Sequence, residues 1–182
     1  MHCKNAIKLK QEHYLPLKTK LMKTILKTPE TKAIIRFQDC DPFNHLNNAE
    51  YLNYMINARE DQIIEHYGLD LFKMAQTQGV SWVVGTNQIA YLKPALLMEH
   101  VLIDSQLFSF SENELNVEIR MWNHNKTELK AVLWSSFVHF NLLKQKRWNH
   151  TEQYMELFKS IVNPLDAKSF NERISELKPK KV

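Results

Sequence analysis

A chain of 182 residues fits one domain with extensions, and 44% hydrophobic against 24% charged residues can furnish a sizeable core. The formal net charge of +4 gathers at the two ends, and its lysines are not interleaved with aromatics as a nucleic-acid stacking surface requires. Cys3 and Cys40 give no disulfide framework or metal spacing, and no run of about 18 apolar residues could span a bilayer.

Residues 1–31 read as a basic extension in which lysines alternate with single apolar residues, as in Leu17-Lys18-Thr19-Lys20-Leu21. It lacks the continuous apolar stretch of a secretory signal, and an organelle-targeting segment stays open although lysine rather than arginine dominates; the cysteine usage makes a soluble protein of the reducing cytoplasm the expectation. Pro29 separates the extension from the next segment. Lys32–Phe37 is predicted as a strand from its apolar Ile34, Ile35 and Phe37. A polar turn follows, then a helix over about Asn47–Tyr67 stopped by Gly68. Its apolar residues, Tyr51, Leu52, Met55, Ile56, Ala58 and Ile63, cover a wide arc, as for a helix wrapped by the rest of the domain.

From Gly79 the hydrophobic period is two. Val80–Val84 and Thr86–Leu92 are predicted as strand, with Gly85 a bulge and Pro94 a stop. Val101–Phe110 follows, then a turn at Ser111-Glu112-Asn113. Leu115, Val117, Ile119 and Met121 alternate with Asn116, Glu118 and Arg120, which predicts a half-exposed strand. Asn123–Lys126 turns the chain into Leu129–Phe140, apolar on both faces, and the pair reads as an antiparallel hairpin. A last helix is predicted over Thr151–Val162, before Pro164 and a lysine-rich tail. The order predicts an α+β fold with one helix buried against an antiparallel sheet. Such a sheet leaves an edge and a face to protect, so pairing of two copies is expected.

Polar chemistry concentrates in the turn Asp39-Cys40-Asp41-Pro42-Phe43-Asn44-His45-Leu46-Asn47-Asn48. Pro42 holds Asp41 extended and out of the helix, so its carboxylate can face the helix start. An aspartate there can attack or hydrate a carbonyl that helix amides polarise; equally, it can only bond the turn and favour the helix dipole. His45 can be a general base or a packed turn histidine, and both readings stand. Asn47 and Asn48 suit helix capping. Asp39 is predicted as a structural acceptor for Arg36 or Arg59, and Tyr51 and Tyr54 as core or interface residues.

Arg36, Asp39, Asp41, His45, Asn47, Asn48, Tyr51, Tyr54, Ala58 and Arg59 together resemble the signature of the hotdog-fold acyl-CoA thioesterases, nearest the 4-hydroxybenzoyl-CoA thioesterase-like group. The resemblance covers roughly residues 32–142. It implies a hotdog fold, an antiparallel sheet around one long central helix, with a thioesterase domain over 32–145. Helical extensions are expected at 1–31 and 146–182. It further implies hydrolysis of acyl-CoA or acyl-carrier-protein thioesters by a homodimer or homotetramer, with no cofactor and no metal. Asp41 would be nucleophile or base, His45 would assist, and the Asn48 N–H would polarise the carbonyl; Asn44, Asn47 and Tyr51 would contact substrate. A non-catalytic acyl-thioester-binding module is the alternative. The chain departs from the family where Asn44 replaces the usual glycine before the histidine. Asparagine tolerates left-handed backbone angles better than most residues, so the turn is expected to survive while the side chain alters substrate choice.

Overall fold

The computed structural model describes residues 25–178. Strand β1 (Glu30–Ile34) leads through a 3-10 turn (Phe37–Asp39) into α1 (Asn48–Tyr67) and α2 (Leu71–Gln78). Then come β2 (Val80–Tyr91), β3 (His100–Phe110), β4 (Glu114–Asn123), β5 (Leu129–Asn141), the short β6 (Lys146–Arg147), α3 (Glu152–Ile161) and α4 (Phe170–Leu177). One antiparallel sheet runs in the order β1-β3-β4-β5-β2, with β6 beside β5. No described helix is long and apolar enough to cross a membrane.

The long helix begins and ends where the sequence predicts. The Asn47 side chain accepts from the Ala49 N–H at 3.0 Å, and Gly68 closes the helix at φ 69°. Tyr51, Met55 and Ala58 enter the core against Ile103, Ile119, Met121 and Leu133 on the inner face of the sheet. Each buried Met, Ile or Leu among them contributes about 1.5–3 kcal/mol by leaving water. Gly85 sits at a register shift between Val84 and Thr86, as expected for a bulge.

The structure corrects several expectations. The first strand starts at Glu30 and ends at Ile34; Phe37 lies in the 3-10 turn and is 77% exposed. Gly79 ends a helix rather than opening a strand: α2 is capped by Asp70, which accepts from the Lys73 N–H, and by Gly79 at φ 65°. Among the described residues, the segment from 146 carries two helices, not one. The polar face of β4 is partly exposed at Asn116 and Arg120, as expected, but covered at Glu118. Glu118 is 1% exposed because α4 crosses that face and Arg173 grips its carboxylate at 2.8 and 2.9 Å. Trp122, Val132, Trp134 and Ile174 form a second apolar cluster there. The helix expected within residues 1–31 and the end of the lysine-rich tail lie outside the described residues.

A histidine stack ties the C-terminal segment to the sheet. The Trp82 ring stacks on His139 at 4.6 Å, and its Nε1 donates to Nε2 of His150 at 3.0 Å. An indole N–H can only donate, so the proton of neutral His150 sits on Nδ1, which meets the Ser111 carbonyl at 3.1 Å. Burial, with His139 beside it, pushes His150 down to about 4, and burial also lowers His139. The unfolded chain takes up these protons near pH 6.5 and the folded chain only well below. Stability is therefore full above pH 6.5 and falls as pH drops toward 4. Thermal melts across that window are expected to lose several degrees in wild type and visibly less in His150→Gln.

Candidate active site

Residues 39–48 fold tightly because their backbone and short polar side chains bond each other. The Asp41 N–H donates to the His45 carbonyl at 2.8 Å, and the Asn44 N–H to the Asp41 carbonyl at 3.0 Å. Oδ1 of Asp41 accepts from the N–H groups of Phe43 (2.9 Å) and His45 (3.0 Å). This oxygen is the keystone of the turn. Oδ2 has no protein partner among the described residues, so one aspartate oxygen is anchored and the other is open.

Asn44 supplies the left-handed residue at φ 61°, a conformation that asparagine accepts and β-branched residues resist. Its carbonyl accepts from the Leu97 N–H at 2.9 Å. Asn44→Val is expected to cost about 1–3 kcal/mol of stability, whereas Asn44→Gly keeps the turn; denaturant midpoints check both.

A groove of about 250 Å³ at the start of α1 is lined by Asp41, His45, Leu46, Asn48, Tyr51 and the segment Tyr91–Pro94. It unites four of the six site residues predicted from sequence: Asp41, His45, Asn48 and Tyr51. Asn47 is occupied as the helix cap, and Asn44 lies in the turn; neither lines the groove. The Asn48 N–H is the first of the helix and has no intrahelical acceptor. The helix N-terminus adds a partial positive charge at that point. Tyr51 lies at the groove floor, its hydroxyl accepting from the Ala95 N–H at 2.9 Å while burial raises its pKa.

Sequence reasoning missed Tyr91 and Lys93. The Tyr91 hydroxyl donates to the Asn48 carbonyl at 2.9 Å, and its ring meets the Tyr51 ring edge-on at 5.1 Å. It therefore braces the helix start. Nothing local marks this role, because the end of β2 meets α1 only in the folded sheet.

Asp39 is a structural acceptor, but for neither arginine. Tyr54 donates to its Oδ2 at 2.6 Å, and burial together with this carboxylate pushes the phenol up to about 12. Arg59 instead lies deep under α1, donating to Ser105. Desolvation, with Asp39 and Asp41 nearby, raises the Cys40 thiol, so it stays protonated and is a poor nucleophile.

Comparison with known proteins bears on the whole assembly. The family model described as the thioesterase-like superfamily matches residues 35–176. The chain is 32% identical over 78 residues to the long-chain acyl-CoA thioesterase FadM of Escherichia coli (strain K12), covering 43% of this chain and 57% of that relative's length. Among solved structures, YbaW, a probable thioesterase from Escherichia coli, superposes with a TM-score of 0.63 at 25% identity, over 74% of this chain and 98% of that one. SAV2348 from Staphylococcus aureus, solved in complex with CoA, gives a TM-score of 0.69 at 14% identity, over 85% and 96%. The sheet folded around α1 is the hotdog fold that the signature residues implied. With a family model spanning both the Asp41 turn and the C-terminal helices, the chain belongs to the thioesterase-like superfamily.

Proposed function

We propose that the protein hydrolyses acyl-CoA thioesters to the free acid and coenzyme A in the groove at the start of α1. One observation carries this reading: Asp41, whose Oδ2 has no partner among the described residues, and Asn48, the first residue of α1, line the same groove. The thioester carbonyl oxygen would sit on the Asn48 N–H, where the helix end stabilises its developing negative charge. Two routes fit. Asp41 attacks the carbonyl carbon, the C–S bond breaks, the thiolate leaves, and water opens the resulting mixed anhydride. Alternatively, Asp41 or His45 takes a proton from a water that attacks directly. A thiolate is a good leaving group, so neither route needs a strong acid. Family membership and the likeness to FadM support the activity.

A second copy is part of this proposal. Strand β2 is last in the sheet order, and Val83 and Val84 on it are exposed. A strand edge of this length with no neighbour among the described residues invites an antiparallel partner, and β2 of a second chain would close it.

Single-turnover hydrolysis in oxygen-18 water separates the chemical routes. Label arriving in the Asp41 carboxylate eliminates direct attack by water on the thioester. Stoichiometric acyl-CoA binding without thiol release would instead favour the non-catalytic acyl-binding module.

A further inference from the structure

A second cavity lies on the far half of α1, away from the groove. It measures about 90 Å³ and is walled largely by Ile56, Ile63, Trp82, Leu107, Phe137 and Phe158, the last supplied by α3. None of Asp41, His45, Asn48 or Tyr51 lines it. Asn48 and Arg59 stand roughly 16 Å apart along the helix at 1.5 Å per residue.

The same wall contains a buried cation. Arg59 is 7% exposed and has no carboxylate within ion-pair distance among the described residues. Glu60 also borders the cavity, but it is exposed, and successive helix residues do not face each other. Of the five guanidinium N–H groups, one on Nη1 donates to Ser105 Oγ at 3.1 Å, and another interacts with the hydroxyl of Tyr67, whose ring centre lies 5.7 Å from the guanidinium. The polar chain beyond offers no charge, because Ser105 donates onward to Gln62, which donates to the Ile103 carbonyl and Thr31. No Arg59 nitrogen is sealed away without a partner. Arg59 and Tyr67 both line the cavity.

A desolvated charge without a counter-ion is unfavourable, and an apolar chamber beside a guanidinium that has only neutral partners among the described residues suits a small amphiphilic anion. We propose that this cavity binds a short apolar carboxylate, its carboxylate held by Arg59 and its hydrocarbon body against Ile56, Ile63, Leu107 and Phe158. A cavity of about 150 Å³ takes a benzene ring, so this one holds an alkyl body of about four carbons, with the carboxylate toward the arginine. This site is independent of thioester cleavage and goes beyond it.

The test compares pentanoate with 1-pentanol, following methyl resonances of Ile56, Ile63 and Leu107 by NMR. Pentanoate is expected to shift them saturably and to bind at least about tenfold tighter than the alcohol, as a charge-assisted pair implies. Arg59→Met is expected to bring pentanoate down to the alcohol's affinity. Equal affinities in wild type, absence of saturable binding, or shifts confined to the Asp41 groove would overturn the proposal. The wild-type comparison decides the matter even if Arg59→Met does not fold.

Discussion

Asp41→Asn is expected to lower acyl-CoA hydrolysis by about a thousandfold, a loss of roughly 4 kcal/mol of transition-state stabilisation, while the protein stays folded. The substitution separates the proposed catalytic job of this side chain from its structural one. Oδ1 of an asparagine still accepts from the Phe43 and His45 N–H groups, so the turn and the helix start persist. The second carboxylate oxygen becomes an amide nitrogen, which neither attacks a carbonyl nor takes a proton from water. Turnover at saturating acyl-CoA, with circular dichroism and Tm as controls, checks the expectation. An active Asp41→Asn protein would leave the aspartate only its structural job and move the chemistry to His45. Asp41→Ala is the less informative variant, because it also removes both turn hydrogen bonds.

Arg173→Ala is expected to have the largest effect on stability, about 3–5 kcal/mol. Glu118 carries no exposed side-chain area, and Arg173 meets both its oxygens at 2.9 Å or less. The remaining partners are the Trp134 Nε1–H at 2.8 Å, Gln106 at 3.4 Å and Arg120 at 3.6 Å. Truncating the arginine leaves a buried carboxylate short of donors and releases α4 from the sheet. Ile174 and Phe170 would then leave Leu129, Val132 and Trp134. At about 2–4 °C per kcal/mol for a domain of this size, Tm is expected to fall by about 6–20 °C. Trp134 fluorescence should report the exposure. Glu118→Gln combined with Arg173→Met removes both charges and is expected to recover much of the loss, because the cost lies in the stranded charge.

The parts that were legible in the sequence depend on short-range physics. Asn47 and Gly68 bracket α1 because capping and left-handed closure are decided within one turn. The strands from β2 to β5 follow from period-two patterning, and their polar turns mark the hairpins. The Asp41 turn stood out because its residues bond mainly each other. What escaped was long-range or disguised. In α4, Ser169 accepts from the Glu172 N–H while Glu172 accepts from the Lys168 N–H, a capping pattern hidden within a charged C-terminal segment. Helix α2 had its caps in Asp70 and Gly79, but the strand pattern starting at Val80 claimed the glycine. Alternation along β4 correctly placed Glu118 opposite the core, yet alternation cannot say what covers the other face. The partner of Asp39 was missed for a related reason: Tyr54, fifteen residues on along α1, reaches back to it only once the helix has formed.

The decisive measurement is release of free thiol from acyl-CoA by the purified protein. A panel of acyl chain lengths, read by a thiol-reactive chromophore, is expected to give sustained turnover with equal yields of thiol and free acid, abolished in Asp41→Asn. Saturable acyl-CoA binding with no thiol released at any chain length would contradict the proposed hydrolysis.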